Sequence, residues 1–149
     1  MIFAAYGLSF KRVIEFGMGL YSTPFFLERE CAVHSVEMQS EEWYKEVVDR
    51  YGDSNNLTPY LYVGPNKFLN EIGVEAGRYD FAFVDGHLLT RPECINACFE
   101  AGIPIVATHD FEDPQYGWER VRKPDNYHHV IYKVKPDRHS AFWVRGDYC

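Results

Sequence analysis

The chain has 149 residues, enough for one domain with a real core and too few for two ordinary ones. An apolar content of 46% and an aromatic content of 17% argue against a disordered or fibrous chain. A formal net charge of −7 argues against a phosphate-backbone binder, which needs surplus lysine and arginine to displace counterions, so no nucleic acid is expected as partner.

Met1 to Leu8 is apolar but short, with neither a basic flank nor a small-residue cleavage site, and is not expected to be a signal peptide. No run of about twenty apolar residues exists to span a bilayer, so no membrane is expected. Strands are predicted at Arg12–Phe16, Ala32–Glu37, Tyr60–Val63, Asp80–Val84 and Ile103–Thr108. Helices are predicted between them at Ser22–Glu30, Glu41–Tyr51, Lys67–Ala76 and Pro92–Ala101. This alternation implies a mostly parallel sheet covered by helices.

Several helix ends carry their own chemistry. Ser40 before Glu41 and Glu42 supplies a cap oxygen and first-turn negative charge for unpaired backbone amides. Thr90 and Glu93 have capping-box spacing around Pro92, and Gly77 and Gly102 suit helix stops. Asp113-Pro114 predicts a further short helix through Val121. His128–Val134 and Ser140–Val144 are strand-like around a turn at Lys135-Pro136-Asp137-Arg138, giving an antiparallel finish in which His128, His129 and His139 are read as exposed hairpin residues. No repeat or linker interrupts the chain, so residues 1–149 are expected to form a single domain.

The cysteines Cys31, Cys94, Cys98 and Cys149 include no pair at the two-residue spacing of zinc ribbons. Cys94 and Cys98 lie four apart in a predicted helix and read as core. This usage fits a reducing cytoplasm.

The segment Glu15-Phe16-Gly17-Met18-Gly19-Leu20-Tyr21-Ser22-Thr23 runs from a buried strand through two glycines into a helix. Glycine has no Cβ to obstruct a ligand, and the helix start offers free amides. Twenty residues beyond Gly17, Glu37 ends the second strand, where a carboxylate could accept both hydroxyl protons of a ribose. Ser22 stands where a GxGxxG dinucleotide loop requires glycine, and the Glu15 carboxylate suits a cationic amino-acid ligand better than a phosphate.

Glu15-Phe16-Gly17-Met18-Gly19 resembles motif I of class I S-adenosylmethionine-dependent methyltransferases, and Tyr21-Ser22-Thr23 is similar to the Gly-Tyr-Ser-Thr ending of small-molecule O-methyltransferases, with Leu20 in place of the glycine. The resemblance implies that Gly17 and Gly19 lie around the methionine portion, Glu37 at the ribose and Asn66, in Gly64-Pro65-Asn66, near the adenine, and Glu15, Ser22 and Asp85 are expected as further cofactor contacts. It implies a doubly wound, mostly parallel α/β sheet of about seven strands, with helices on both faces and an antiparallel C-terminal hairpin.

Asp80–His87 and Ile105–Asp110 are apolar strands that end in similar polar groups. Carboxyl ends of parallel strands face the ligand crevice, which gathers Asp85, His87, His109 and Asp110 beside the first loop. Two chemistries fit. Asp85, His109 and Asp110 could hold a divalent ion, magnesium on the two carboxylates or, with the histidine as ligand, manganese, iron or zinc. Alternatively, His87 or His109 could act as general base on an acceptor hydroxyl, with Asp85 and Asp110 positioning the acceptor. Asp113–Trp118 could wall a substrate pocket, whereas Trp43 reads as core.

The expected function is methyl transfer from S-adenosylmethionine to an oxygen of a small molecule. The alternatives are a catalytically inactive nucleoside-binding module and a nucleotide-linked oxidoreductase. Only about eleven residues precede the first strand, too few for substrate-covering helices, so a partner subunit in a homodimer could supply the cover, or the acceptor could itself be large.

Overall fold

In a computed structural model, residues 9–61, 77–135 and 138–148 are described. Strands β1 (Arg12–Phe16), β2 (Ala32–Glu37), β3 (Leu57–Leu61), β4 (Phe81–Val84) and β5 (Ile105–Thr108) run parallel, and β6 (Tyr127–Lys135) and β7 (Arg138–Arg145) close the sheet antiparallel. The seven-stranded order is β3-β2-β1-β4-β5-β7-β6. Helices α1 (Ser22–Leu27), α2 (Glu41–Tyr51) and α3 (Arg91–Glu100) follow β1, β2 and β4.

Both faces of the parallel strands are covered, which is why β1 from Val13 onward and all of β5 are buried without alternation. Ile14, Phe16, Val36, Ala82, Val84 and Val106 pack with Cys94, Ile95, Cys98 and Phe99 of α3 on one side. Val13, Val33, Phe81, Ile105 and Ala107 pack with Phe25 and Phe26 of α1 on the other. Each fully buried Phe contributes about 1.5–3 kcal/mol.

Strand order turns back between β1 and β4, and the register brings their ends level. Phe16 pairs with both Val36 and Val84, and Val84 pairs with Thr108. Gly17, Glu37, Asp85 and His109 therefore leave four adjacent strands at one height, opening a crevice at the switch point.

Local chemistry sets the helix ends. Ser40 Oγ accepts the Trp43 amide at 3.1 Å, the cap expected for α2. The Thr90 and Glu93 capping box does not form: the Thr90 hydroxyl donates to the His87 carbonyl, and Glu93 pairs with Arg120 at 2.6 Å. α1 stops at Leu27 rather than running to Glu30, because the chain turns through Glu30 at a φ of 55°. In place of a helix from Asp113 to Val121 there are two short 3-10 turns, Pro114–Tyr116 and Trp118–Arg120, separated by left-handed Gly117. Asn96 of α3 holds this segment, donating to the Arg120 carbonyl and accepting the Arg122 amide. β3 begins earlier than the expected Tyr60. The rest of that strand, the Lys67–Ala76 helix and the Pro136-Asp137 part of the last turn lie outside the described residues. Among the described residues, no helix is long and apolar enough to cross a membrane.

Candidate functional site

A cavity of about 1020 Å³ occupies the crevice. Gly17, Gly19, Ser22, Glu37, Asp85 and His109 line it. Glu15, His87 and Asp110 do not, and Asn66 lies outside the described residues.

Gly17 has a φ of +97°, and a Cβ there would overlap the backbone of Asp85 and Gly86. The space that a side chain would take is thus filled by the β4 end, so this glycine lets two strand ends meet as well as opening the loop to a ligand. At Gly19 a Cβ would meet only the Ser22 hydroxyl, a group that can rotate.

Glu15 is completely buried beneath this loop. Its Oε2 accepts from Thr23 Oγ1 at 2.6 Å and from Ser35 Oγ, and Thr23 Oγ1 in turn accepts the Gly19 amide at 3.1 Å. Burial raises its pKa to about 7, against the lowering effect of the hydroxyls of Ser22, Ser35 and Thr23. Its structural place is under the loop, not facing a cationic ligand.

On the next strand, Glu37 Oε1 accepts the amides of Gln39 at 2.7 Å and Ser40 at 3.2 Å, which fixes the carboxylate and leaves Oε2 for the crevice. Trp43, expected in the core, instead lies at the crevice rim with its side chain partly in solvent. Its indole Nε1 donates to the Met18 carbonyl at 2.6 Å, so α2 braces the glycine loop. An indole N–H needs an acceptor, and the loop carbonyl supplies one that no core position would.

The β4 and β5 ends are joined by Arg91, a residue the sequence reading did not single out. Its guanidinium is almost wholly buried: Nε donates to the Gly86 carbonyl at 2.9 Å and Nη1 to the His109 carbonyl at 2.9 Å. Nη2 lies 2.8 Å from Asp85 Oδ1 and 4.0 Å from Asp110 Oδ2. The Tyr116 ring covers the guanidinium at 3.9 Å. Burial raises the Asp85 pKa, and Arg91 and His109 oppose that rise.

Asp110 occupies the left-handed region at a φ of 53°, a conformation Asp tolerates better than most residues. This turn brings its Oδ1 to 2.7 Å from His109 Nδ1. An Nδ1–H donated to Asp110 leaves the lone pair on Nε2 of His109. His87, in contrast, accepts the Leu89 amide on Nδ1 at 3.2 Å and belongs to the β4–α3 loop.

The remaining wall is aromatic and comes from distant segments: Phe25 and Phe26 of α1, Phe83 of β4, and Tyr132 and Phe142 of the hairpin. Segment boundaries alone could not bring β6 and β7 back across the sheet to the crevice. His128 and His129 are exposed on the hairpin, and the His129 ring stacks on Trp143 at 5.0 Å. Trp118 packs against Phe111 and Tyr116 and does not line the crevice.

No family model and no curated protein matches the sequence. Solved structures do match by shape. The chain is similar to the O-methyltransferase TomG from Streptomyces achromogenes, involved in tomaymycin synthesis and solved with S-adenosylmethionine, at 16% identity and a TM-score of 0.67 over 92% of this chain and 74% of that one. It is also similar to an O-methyltransferase from Bacillus cereus solved with S-adenosylhomocysteine, at 15% identity and a TM-score of 0.68 over 91% of this chain and 74% of that one. A third match is the 1,6-didemethyltoxoflavin-N1-methyltransferase from Burkholderia thailandensis, with 1,6-didemethyltoxoflavin and S-adenosylhomocysteine bound, at 16% identity and a TM-score of 0.62 over 97% and 74% of the two chains. Likeness at these identities establishes the fold: the chain adopts the Rossmann-like fold of class I S-adenosylmethionine-dependent methyltransferases, with the antiparallel end and helical cover expected from its sequence.

Proposed function

We propose that this chain is a methyltransferase that uses S-adenosylmethionine to methylate an oxygen of a small-molecule acceptor. The observation that carries the reading is His109, which lines the same crevice as the Gly17 loop and Glu37 and has its Nδ1 paired to Asp110. When bound, S-adenosylmethionine supplies an electrophilic methyl on a sulfonium sulfur.

The Gly17–Gly19 loop and Ser22 would accommodate the methionine portion, and Glu37 Oε2 the ribose hydroxyls. His109 Nε2 would take the acceptor hydroxyl proton, and the Asp110 carboxylate would stabilise the resulting imidazolium. Holding the acceptor oxygen in line against the aromatic wall removes much of the entropic barrier. Free, buried Cys31, Cys94 and Cys98 support a reducing, cytoplasmic setting.

Metal assistance is the second reading. It is favoured because Asp85, His109 and Asp110 can each bring one ligand atom within 4.8 Å of the others. The buried Arg91 beside both carboxylates does not fit a resident ion, so the proton path above runs through His109 alone.

Calorimetry with S-adenosylmethionine, S-adenosylhomocysteine and NAD tests the ligand class. Binding of the first two without NAD is expected, and tight NAD binding would replace the reading with a nucleotide-linked oxidoreductase. Turnover across a panel of hydroxyl acceptors tests the activity, and cofactor binding without turnover points to an inactive nucleoside-binding module. His109→Gln should lower turnover by about 10²–10⁴-fold while retaining S-adenosylhomocysteine affinity. Unchanged turnover would remove His109 as the base.

A further inference from the structure

The Asp85, His109 and Asp110 cluster has the ligand types of a divalent-ion site. We infer that Arg91 is the permanent cation of this cluster, so that the protein needs no divalent metal there. The inference rests on the proposed methyltransferase reading only in where the chemistry occurs.

Position comes first. Arg91 stands at the start of α3, immediately before Pro92, and its side chain enters the protein rather than the solvent. One guanidinium nitrogen meets each of two strand-end carbonyls, Gly86 O and His109 O, while the third meets Asp85. A planar fork held at three points cannot swing away to admit another cation. Tyr116 closes its open face.

Charge comes second. Asp85 and Asp110 carry two negative charges, and Arg91 offsets one of them at 2.8 Å from Asp85 and 4.0 Å from Asp110. Unlike lysine or histidine, arginine does not lose its proton in proteins, so an incoming ion could not neutralise it. A divalent cation bridging the two carboxylates would stand next to a fixed like charge in a partly buried site.

Two of the candidate ligand oxygens are already engaged. Asp85 Oδ1 is engaged by Arg91, and Asp110 Oδ1 is engaged by His109 Nδ1 at 2.7 Å. A metal that took those two oxygens would have to displace both contacts. The same two contacts instead hold Asp85 on the crevice wall and the His109 ring in one tautomer. Arg91 is therefore a positioning residue: it touches the carbonyl of His109 and the carboxylate of Asp85, not the acceptor.

The test is a Mn²⁺ titration of the metal-stripped full chain, followed by electron paramagnetic resonance, with S-adenosylhomocysteine binding measured in parallel. The wild-type protein is expected to show no saturable Mn²⁺ site at this cluster. A micromolar site that Asp110→Asn abolishes would overturn the inference. Arg91→Met frees Asp85 and removes the fixed positive charge beside Asp110, and is expected to raise Mn²⁺ affinity by about tenfold or more. A folded Arg91→Met protein that binds S-adenosylhomocysteine but gains no Mn²⁺ affinity would also overturn it. Should that variant not fold, the wild-type titration alone decides. Failure of S-adenosylhomocysteine to bind would count against the methyltransferase reading and leave the metal result standing.

Discussion

Glu15 shows how a residue can support the glycine loop from beneath without reaching the crevice. The carboxyl has no exposed surface, two hydroxyls donate to its Oε2, and through Thr23 it holds the Gly19 amide. Its pKa rises from an ordinary 4.5 to about 7 because burial disfavours the charged form. Between those values the folded chain binds a proton that the unfolded chain has released. The stability this provides is fully present below the unfolded value and is lost as pH climbs through the folded one, a swing of roughly 3 kcal/mol. Glu15→Gln keeps the shape and removes the titration. Urea unfolding at about pH 5 and about pH 8 should show wild type losing roughly 2.5 kcal/mol more than the variant over that interval. Parallel pH dependences would mean that Glu15 is ionised in its buried site.

At the scale of elements, the two glycines of the first loop have different tasks. A Cβ at Gly17 meets main chain on β4, which cannot yield without separating β1 from β4, and the φ of +97° adds strain. Gly17→Ala should destabilise the protein by about 2–4 kcal/mol, read as a lower urea midpoint. Gly19→Ala meets only the Ser22 hydroxyl, so it should leave stability within about 1 kcal/mol and act on S-adenosylhomocysteine affinity instead. Equal losses of stability would contradict this division.

The same elements show what local pattern conveys. β1, β2 and α2 have the boundaries expected from apolar runs and the Ser40 cap, because those signals are contained within each segment. Asp85 and His109 were legible for the same reason: apolar strands ending in polar groups place them at a crevice. Arg91 was not legible, since an arginine before Pro92 reads as a first-turn surface charge, and its acceptors lie on Gly86, His109 and Asp85, reached only through the fold. Thr90 misled for a related reason: its hydroxyl found the His87 carbonyl, a local acceptor that competes with the helix cap. Trp43 read as core because its apolar bulk outweighed the one N–H that draws it to the Met18 carbonyl.

The crevice as a whole is assembled from nearly the full length of the chain, from Gly17 after β1 to Phe142 on the last strand. The hairpin that supplies Tyr132, Ser140 and Phe142 is bound into the sheet through β5 and into the core through Trp143, which packs on Phe99 and Phe111. A ligand that fills the crevice should therefore stabilise the domain as one unit. At one hundred times its dissociation constant, a ligand bound only by the folded state contributes about 2.7 kcal/mol. For a chain of this size that shifts the thermal midpoint upward by roughly 5–10 °C. S-adenosylhomocysteine should produce such a shift in a single transition, seen alike in far-ultraviolet circular dichroism and in tryptophan signals from the loop-bracing Trp43 and the hairpin Trp143. If the loop signal moved and the backbone transition did not, the crevice would be coupled to the β1–α2 region alone. The hairpin would then be a wall that folds independently of the ligand, and Tyr132 and Phe142 could not be credited with holding an acceptor in place.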